Sequence, residues 1–244
     1  MFQDKKTSSK PFQYKQFAIS QDRCAMKVGT DGVLLGAWAD IQATKKALDI
    51  GAGTGVIAIM LAQKIRDAVV HAVEIDRAAY EQAKENFEIS PFSERLAIYC
   101  DSIQDYAKTS DQRYDLIVSN PPFFSGGTFS SNQDKNNVRH TVKLSHGDLL
   151  QSARHLLNKD GKLCVILPLL EGLRFVEVAR NYHLYCVRIT EVIPKAGKDI
   201  ERLLLQFELN QREIIKDQLI IQYEERNDFT EAYKILTRDF YTIF

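Results

Sequence analysis

The segment that decides the fold is Leu48-Asp49-Ile50-Gly51-Ala52-Gly53-Thr54-Gly55-Val56. Its apolar start is typical of a buried strand, and its glycines let the backbone turn sharply before a helix begins. The free N–H groups at the start of that helix can face a ligand. In the dinucleotide fingerprint GxGxxG the third glycine comes one residue later than here, so the spacing disfavours NAD. Asp49 would repel a pyrophosphate, which favours a ligand with a cationic amino group instead.

Outward from this segment, short β-branched runs alternate with helical patterns between positions 46 and 168, which predicts repeated βαβ units. Two later strands are joined by a link short enough for an antiparallel hairpin. The expected fold is α/β and Rossmann-like, with helices on both faces of a mostly parallel seven-stranded sheet that ends in this hairpin. The predicted strands span 47–50, 69–75, 96–100, 115–119, 162–167, 186–193 and 202–209, and the predicted helices span 56–65, 77–89, 147–157 and 171–182.

Length and composition predict one domain with an addition at each end, because 244 residues at 45% hydrophobic content suffice for one large core. The domain proper is expected at 41–210. Residues 1–40 are expected to form an extension that covers the cofactor and target site. This extension is predicted to contain a strand at 15–21 and a helix capped by Asp31. Residues 211–244, with an edge strand at 219–223 and a helix at 229–241, extend the same domain.

Charge and cysteine usage narrow the class of protein. Basic and acidic side chains number 32 each, so any nucleic-acid contact must come from local patches. The four cysteines have no metal-ligand spacing, and neither do the five histidines, so no metal is expected and the cysteines are interpreted as reduced thiols. A polar N-terminus and the absence of an apolar run of bilayer length predict a cytoplasmic protein with no membrane contact.

Carboxylates follow the next two strands of the predicted sheet. Glu74 ends the second strand, where its carboxylate can accept both hydroxyls of a ribose, and Asp101 ends the third, where it can accept from an adenine amino group. Both positions belong to the carboxyl edge at which open α/β sheets bind ligands. The predicted cofactor site comprises Asp49, Gly51, Gly53, Gly55, Glu74, Ile75, Asp101, Ser102 and Asn120.

The predicted catalytic segment is Asn120-Pro121-Pro122-Phe123, directly after the fourth strand. Two prolines end the strand and hold Asn120 extended at its rim. A planar amino group is a poor nucleophile, because its lone pair is delocalised into the attached ring or carbonyl. The Asn120 amide oxygen and the Pro121 carbonyl can each accept one N–H and so favour a pyramidal nitrogen, while Phe123 stacks on the substrate ring.

At these residues the sequence resembles the N6-adenine and N5-glutamine branch of class I methyltransferases, which carries (N/D)PP(Y/F/W) here. Together with the segment at 21–38, the resemblance extends over nearly the whole chain to the bacterial tRNA1(Val) adenine-N6-methyltransferase family. It implies S-adenosylmethionine as cofactor and, as target, the adenosine at position 37, just 3′ of the anticodon of a valine tRNA. The cofactor residues that it implies are Lys27, Thr30, Asp31, Asp49, Gly51, Glu74, Asp101 and Asn120.

Several alternatives stay open at this point. A protein glutamine N5-methyltransferase uses the same four-residue chemistry, an rRNA or DNA adenine-N6-methyltransferase differs only in its target, and a non-catalytic nucleotide-binding module needs no methyl transfer. Support for tRNA from charge comes from two basic patches, one within residues 1–30 and one in a long polar segment after Phe123, and no obligate protein partner is evident. The second patch lies at 131–145. The candidate RNA-binding residues in that segment are Lys135, Arg139, His140 and Lys143.

Overall fold

The computed structural model of the protein describes residues 10–122 and 144–244. Within these ranges the chain forms ten strands and seven α-helices. The strands are β1 (Phe12–Gln13), β2 (Ala18–Ile19), β3 (Lys46–Ile50), β4 (Val69–Glu74), β5 (Leu96–Cys100), β6 (Tyr114–Ser119), β7 (Leu157–Pro168), β8 (Tyr185–Lys195), β9 (Arg202–Glu208) and β10 (Ile215–Gln222), and the helices are α1 (Thr30–Trp38), α2 (Val56–Lys64), α3 (Arg77–Ile89), α4 (Ile103–Thr109), α5 (His146–Leu156), α6 (Leu169–Ala179) and α7 (Glu231–Thr237).

Eight of these strands form one sheet in the order β10-β8-β9-β7-β6-β3-β4-β5. Strands β3 to β7 pair in parallel, and β9 runs antiparallel to both β7 and β8. The predicted mostly parallel sheet with its antiparallel hairpin is therefore confirmed. Within the described residues the sheet has eight strands and not the seven predicted, because β10 pairs in parallel with β8 at its edge.

The core lies on both faces of the sheet. Strand β3 is buried from Ala47 onward, and helix α2 is apolar and buried from Val56 to Ala62. Helix α3 is amphipathic, since its buried face carries Ala79, Ala83 and Phe87 while the other face is charged. The N-termini of α2 and α3 follow the carboxyl ends of β3 and β4. None of the helices in 10–122 and 144–244 is long and apolar enough to cross a membrane.

Some predicted elements differ from the structure at their ends. The expectation that Asp31 caps α1 was wrong, because Gly29 is the N-cap and Asp31 lies in the first turn. The strand predicted at 15–21 is reduced to the two residues of β2, and the closing helix predicted at 229–241 is only the seven residues of α7. Helix α4 was not predicted, because seven residues are too few to show an apolar period.

Candidate active site

The glycine turn after β3 uses positive φ at all three glycines, with values of 73° at Gly51, 55° at Gly53 and 79° at Gly55. A side chain is strained in this conformation. Around Gly51 and Gly53 no atom lies within 4 Å of an added Cβ, so both face open space, whereas at Gly55 an added Cβ would lie 2.5 Å from the Phe87 ring. The first two glycines thus leave room for a ligand, and the third lets α2 approach α3.

Hydrogen bonds fix the turn to its neighbouring strands. The Ser119 hydroxyl donates to the carbonyl of Ile50 over 2.9 Å, which joins the end of β6 to the end of β3. The Gly51 N–H donates to the carbonyl of Val73 on β4 at the same distance. Asn120, the residue after Ser119, is consequently held beside the glycine turn at one edge of the sheet.

A cleft of about 330 Å³ opens at this edge, and we call it the glycine-turn cleft. It brings together residues from four strand ends, the segment before α1 and the start of α4. The predicted residues on its wall are Gly51, Gly53, Glu74, Ile75, Asp101, Ser102, Asn120, Pro121 and Pro122.

Glu74 is buried in the glycine-turn cleft and fixed by the backbone around it. One carboxylate oxygen accepts the Gly53 N–H and the other accepts the Asp76 N–H, each over 2.8 Å. Each carboxylate oxygen can accept a further hydrogen bond, so Glu74 keeps the capacity to hold two hydroxyls. Asp101 accepts the Ser102 N–H over 2.7 Å, which orients its carboxylate in the same way.

Asp49 is fully buried and does not line the glycine-turn cleft. One carboxylate oxygen accepts the Ala58 N–H in the first turn of α2 over 3.1 Å, and the other has no hydrogen-bond partner among the described residues. Burial, reinforced by the negative charge of Glu74, raises the pKa of the Asp49 carboxyl to about 7. The structure therefore places Asp49 behind the turn as support for α2, and its contact with a cofactor ammonium stays a prediction.

A second cleft of about 400 Å³ adjoins the first, and we call it the hairpin cleft because β8 and β9 supply part of its wall. Lys27, Thr30 and Asp31 lie here and not in the glycine-turn cleft. Met26 and Asn120 line both clefts. The residues expected to bind the cofactor are thus divided between two clefts that meet at Asn120.

Phe123 and the candidate RNA-binding residues Lys135, Arg139, His140 and Lys143 are outside the described residues, and Gly55 lines neither cleft. Among residues 10–122 and 144–244, no group of His, Cys, Asp and Glu could hold a metal ion.

Sequence reasoning missed several wall residues of the glycine-turn cleft. Those on α4 had a usable signal, since Ser102 accepts the Asp105 N–H and so caps this helix in an S-x-x-D pattern. The missed residues are Cys24, Ala25, Met26, Ile50, Val73, Asp76, Ala79, Ile103, Gln104 and Leu144.

Comparison with solved structures finds the same fold in methyltransferases. A predicted O-methyltransferase from Agrobacterium tumefaciens superposes with a TM-score of 0.69 at 20% identity, over 86% of this chain and 96% of that one. An O-methyltransferase of Brevibacillus brevis, solved with S-adenosyl-L-homocysteine, superposes with a TM-score of 0.50 at 16% identity, over 72% and 70%. The fold predicted from the sequence is confirmed.

Sequence comparison identifies the family. The model of the methyltransferase small domain matches residues 29–173. A Histophilus somni (strain 2336) protein named tRNA1(Val) (adenine(37)-N6)-methyltransferase is 43% identical over 234 residues, which cover 96% of this chain and 98% of that protein. The chain belongs to the methyltransferase small domain family. Within it, the chain belongs to the tRNA1(Val) (adenine(37)-N6)-methyltransferase family. The resemblance inferred from Asn120 and its neighbours is thereby confirmed.

Proposed function

We propose that this protein transfers a methyl group from S-adenosylmethionine to N6 of an adenosine in tRNA, at position 37 of tRNA1(Val). The observation that carries the proposal is the position of Asn120, which lies where the glycine-turn cleft meets the hairpin cleft. A group transferred between two bound molecules must pass through such a junction. The name of the 43% identical relative supports tRNA1(Val) as the substrate.

The glycine-turn cleft suits the cofactor. Gly51 and Gly53 leave space beside the turn, Glu74 offers acceptors for ribose hydroxyls, and Asp101 offers one for an adenine amino group. Ile75, 53% exposed, offers an apolar surface for the adenine ring.

Lys27, Thr30 and Asp31 line the hairpin cleft, and they are proposed to meet the methionine end where it extends past Asn120 from the glycine-turn cleft. When bound, S-adenosylmethionine supplies a methyl group on a positively charged sulfur and leaves as the neutral thioether.

Asn120 and Pro121 are proposed to prepare the acceptor. The Asn120 side-chain oxygen accepts one N–H of the adenine amino group and the Pro121 carbonyl accepts the other, so the nitrogen lone pair is turned toward the methyl carbon. The new N–C bond forms as the S–C bond breaks, and the nitrogen then releases one proton to water. No base is required before transfer, because the nitrogen acquires its acidity only once it is methylated. The rate gain comes from alignment and preorganised acceptors.

The proposal is tested with purified protein, radiolabelled S-adenosylmethionine and total RNA from a strain that lacks the protein. We expect label in tRNA, and nucleoside analysis should find it as N6-methyladenosine at position 37 of tRNA1(Val). Label in rRNA alone would contradict the tRNA assignment. Label in a protein glutamine with none in RNA would replace it with the N5-glutamine activity of the same branch.

A further inference from the structure

Four aromatic side chains meet where helix α4 packs on the sheet, and we call them the ring cluster: His71 of β4, Tyr99 of β5, Tyr106 of α4 and Tyr114 of β6. The His71 ring is roughly perpendicular to the rings of Tyr99 and Tyr114, with centroids 5.5 and 5.7 Å away. The centroids of the Tyr99 and Tyr106 rings are 5.1 Å apart. His71, Tyr106 and Tyr114 are buried. Three strands and one helix are therefore in contact through these rings.

Two hydrogen bonds connect three members of the ring cluster, and we call them the hydroxyl link. The hydroxyl oxygens of Tyr106 and Tyr114 are 2.5 Å apart, and the Tyr114 oxygen lies 2.8 Å from Nδ1 of His71. A hydroxyl has a single proton, so Tyr114 donates in one of these bonds and accepts in the other. Both bonds of the hydroxyl link therefore depend on the Tyr114 hydroxyl.

The hydroxyl link lies in an apolar environment. Tyr106 and Tyr114 belong to the same hydrophobic cluster as Ile50, Val73 and Ile103. Phenylalanine at both tyrosine positions would fill this space without burying a hydroxyl. A buried hydrogen bond adds only modest net stability, but it fixes geometry, because a displaced hydroxyl would be left without a partner. The hydroxyl link therefore determines where α4 lies on the sheet.

The position of α4 affects the glycine-turn cleft, because Ser102, Ile103 and Gln104 line this cleft beside Asp101. A helix of seven residues is too short to be stable alone, so contacts with the sheet decide where it lies. Ile103 and Tyr106 are three residues apart and share the buried face of α4. Within the described residues, the other side-chain hydrogen bonds of α4 stay inside the helix and its N-cap. The Tyr106 hydroxyl is thus the hydrogen-bonding contact from α4 to the sheet.

We infer that the hydroxyl link positions α4 and thereby sets the affinity of the glycine-turn cleft for the adenosyl part of the cofactor. This inference rests on the proposed function, in which Asp101 accepts from the adenine amino group. His71, Tyr106 and Tyr114 are positioning residues, since none of them lines the glycine-turn cleft. Tyr114 begins β6 and Asn120 follows its other end, so the alignment of the methyl group at Asn120 does not depend on the hydroxyl link.

Removal of single hydroxyls tests the inference, because Tyr106→Phe and Tyr114→Phe keep the rings and break the hydroxyl link. We expect the KM for S-adenosylmethionine to rise by roughly tenfold in each variant, the scale of one lost buried hydrogen bond. The kcat at saturating cofactor and the KM for tRNA should stay unchanged. Calorimetry without RNA should find the same loss of affinity for S-adenosylmethionine and for adenosine, which lacks the methionine part. The double variant should bind no more weakly than Tyr114→Phe, because both changes break one link.

Tyr99→Phe is the matched control. Its ring belongs to the ring cluster, but the residue is 38% exposed and its hydroxyl takes no part in the hydroxyl link, so cofactor affinity should stay within about twofold. Tyr106 and Tyr114 lie on different elements, so either variant alone suffices if the other does not fold.

The inference is overturned if a folded Tyr106→Phe or Tyr114→Phe variant has a lower melting temperature but an unchanged KM for S-adenosylmethionine, because the hydroxyl link would then be only structural. It is also overturned if affinity falls for S-adenosylmethionine but not for adenosine. A failure of the proposed function gives a different result, since the unsubstituted protein would then bind S-adenosylmethionine and leave tRNA unmethylated.

Discussion

Asn120 follows a buried strand and precedes two prolines, so the backbone fixes its amide between two clefts. Replacing it with alanine removes one preorganised acceptor and leaves the glycine turn and Glu74 in place. We expect Asn120→Ala to lower kcat for tRNA methylation by about a hundredfold while cofactor affinity is nearly unchanged. Single-turnover methylation and calorimetry measure the two quantities.

Asn120→Asp is the matched variant, because it keeps a side-chain oxygen acceptor and because the family motif accepts either residue. It should retain more activity than the alanine variant. Unaltered turnover in Asn120→Ala would exclude the amide from the chemistry, and an equal loss of cofactor affinity would mean that Asn120 acts mainly in binding the cofactor.

Asp49 is expected to make the free energy of unfolding depend on pH. Its pKa of about 7 in the folded chain is above the value of an exposed Asp, so between about pH 4 and pH 7 the folded state holds one more proton than the unfolded state. The free energy of unfolding therefore falls as pH rises through this window, with a slope of up to about 1.4 kcal/mol per pH unit, and is flat above it.

Asp49→Asn cannot titrate, so the difference in unfolding free energy between it and the unsubstituted protein should change across pH 5 to 7 and be constant above pH 8. Urea unfolding at four pH values measures that difference. The contributions of all other groups are the same in both proteins and cancel in the difference. A difference that is independent of pH would show that Asp49 is ionised in the folded chain.

At the scale of elements, α3 connects the segment before α1 to the glycine turn through one side chain. Asn86 is fully buried, accepts the Ser20 N–H over 3.0 Å and donates to the carbonyls of Ser20 and Thr54, each over 2.9 Å. Asn86→Leu keeps the number and branching of the side-chain heavy atoms and removes these bonds. Because the segment and the turn both line the cofactor's cleft, we expect the cofactor dissociation constant to rise by roughly tenfold, or about 1.4 kcal/mol.

Glu85→Gln on the same helix is the control. It removes an exposed ion pair between Glu85 and Arg23, which also joins α3 to this segment but lies in water. Such pairs contribute little, so its cofactor affinity should stay within about twofold of the unsubstituted protein. If Asn86→Leu lowers the melting temperature but binds cofactor normally, Asn86 has only a structural role.

Elements with a strong apolar pattern could be predicted from the sequence, and those fixed by tertiary contacts could not. Strand β5 and helix α3 match their predicted bounds, because a short run of strand-favouring residues and an amphipathic helical period can both be recognised locally in the sequence. Strand β2 has two residues where seven were predicted, since pairing with the short β1 limits its length.

The same distinction holds for the candidate site, where one cleft could be predicted from the sequence and part of the other could not. The glycine-turn cleft could be predicted in large part, because Glu74 ends a strand, Gly51, Asp101 and Asn120 each follow one, and parallel strands end at one edge. The C-terminal wall of the hairpin cleft could not. Arg202 meets Asp31 across 171 residues of chain, and no spacing in the sequence marks that contact.

At the scale of the whole molecule, the segments at the two ends of the chain, which the sequence predicts as additions to the central domain, contact each other. The Lys15 N–H donates to the carbonyl of Phe240 over 2.8 Å, and Tyr14 forms a bridge with Tyr241. The Phe240 side chain belongs to the same apolar cluster as α1 and α2. The additions thus share a core with the domain that carries the glycine turn, and we expect all three parts to unfold together.

Phe240→Ala tests this cooperativity, because the ring is only 2% exposed and its loss leaves a cavity in the shared core. We expect the free energy of unfolding to fall by about 3–5 kcal/mol and the whole calorimetric transition to move to lower temperature as a single peak. Phe12→Ala is the control: this ring is 36% exposed and contacts the ring of Tyr241, the residue after Phe240, so its removal should cost no more than about 1 kcal/mol. A separate early transition in Phe240→Ala, with the remainder melting as in the unsubstituted protein, would mean that the additions unfold independently of the methyltransferase domain.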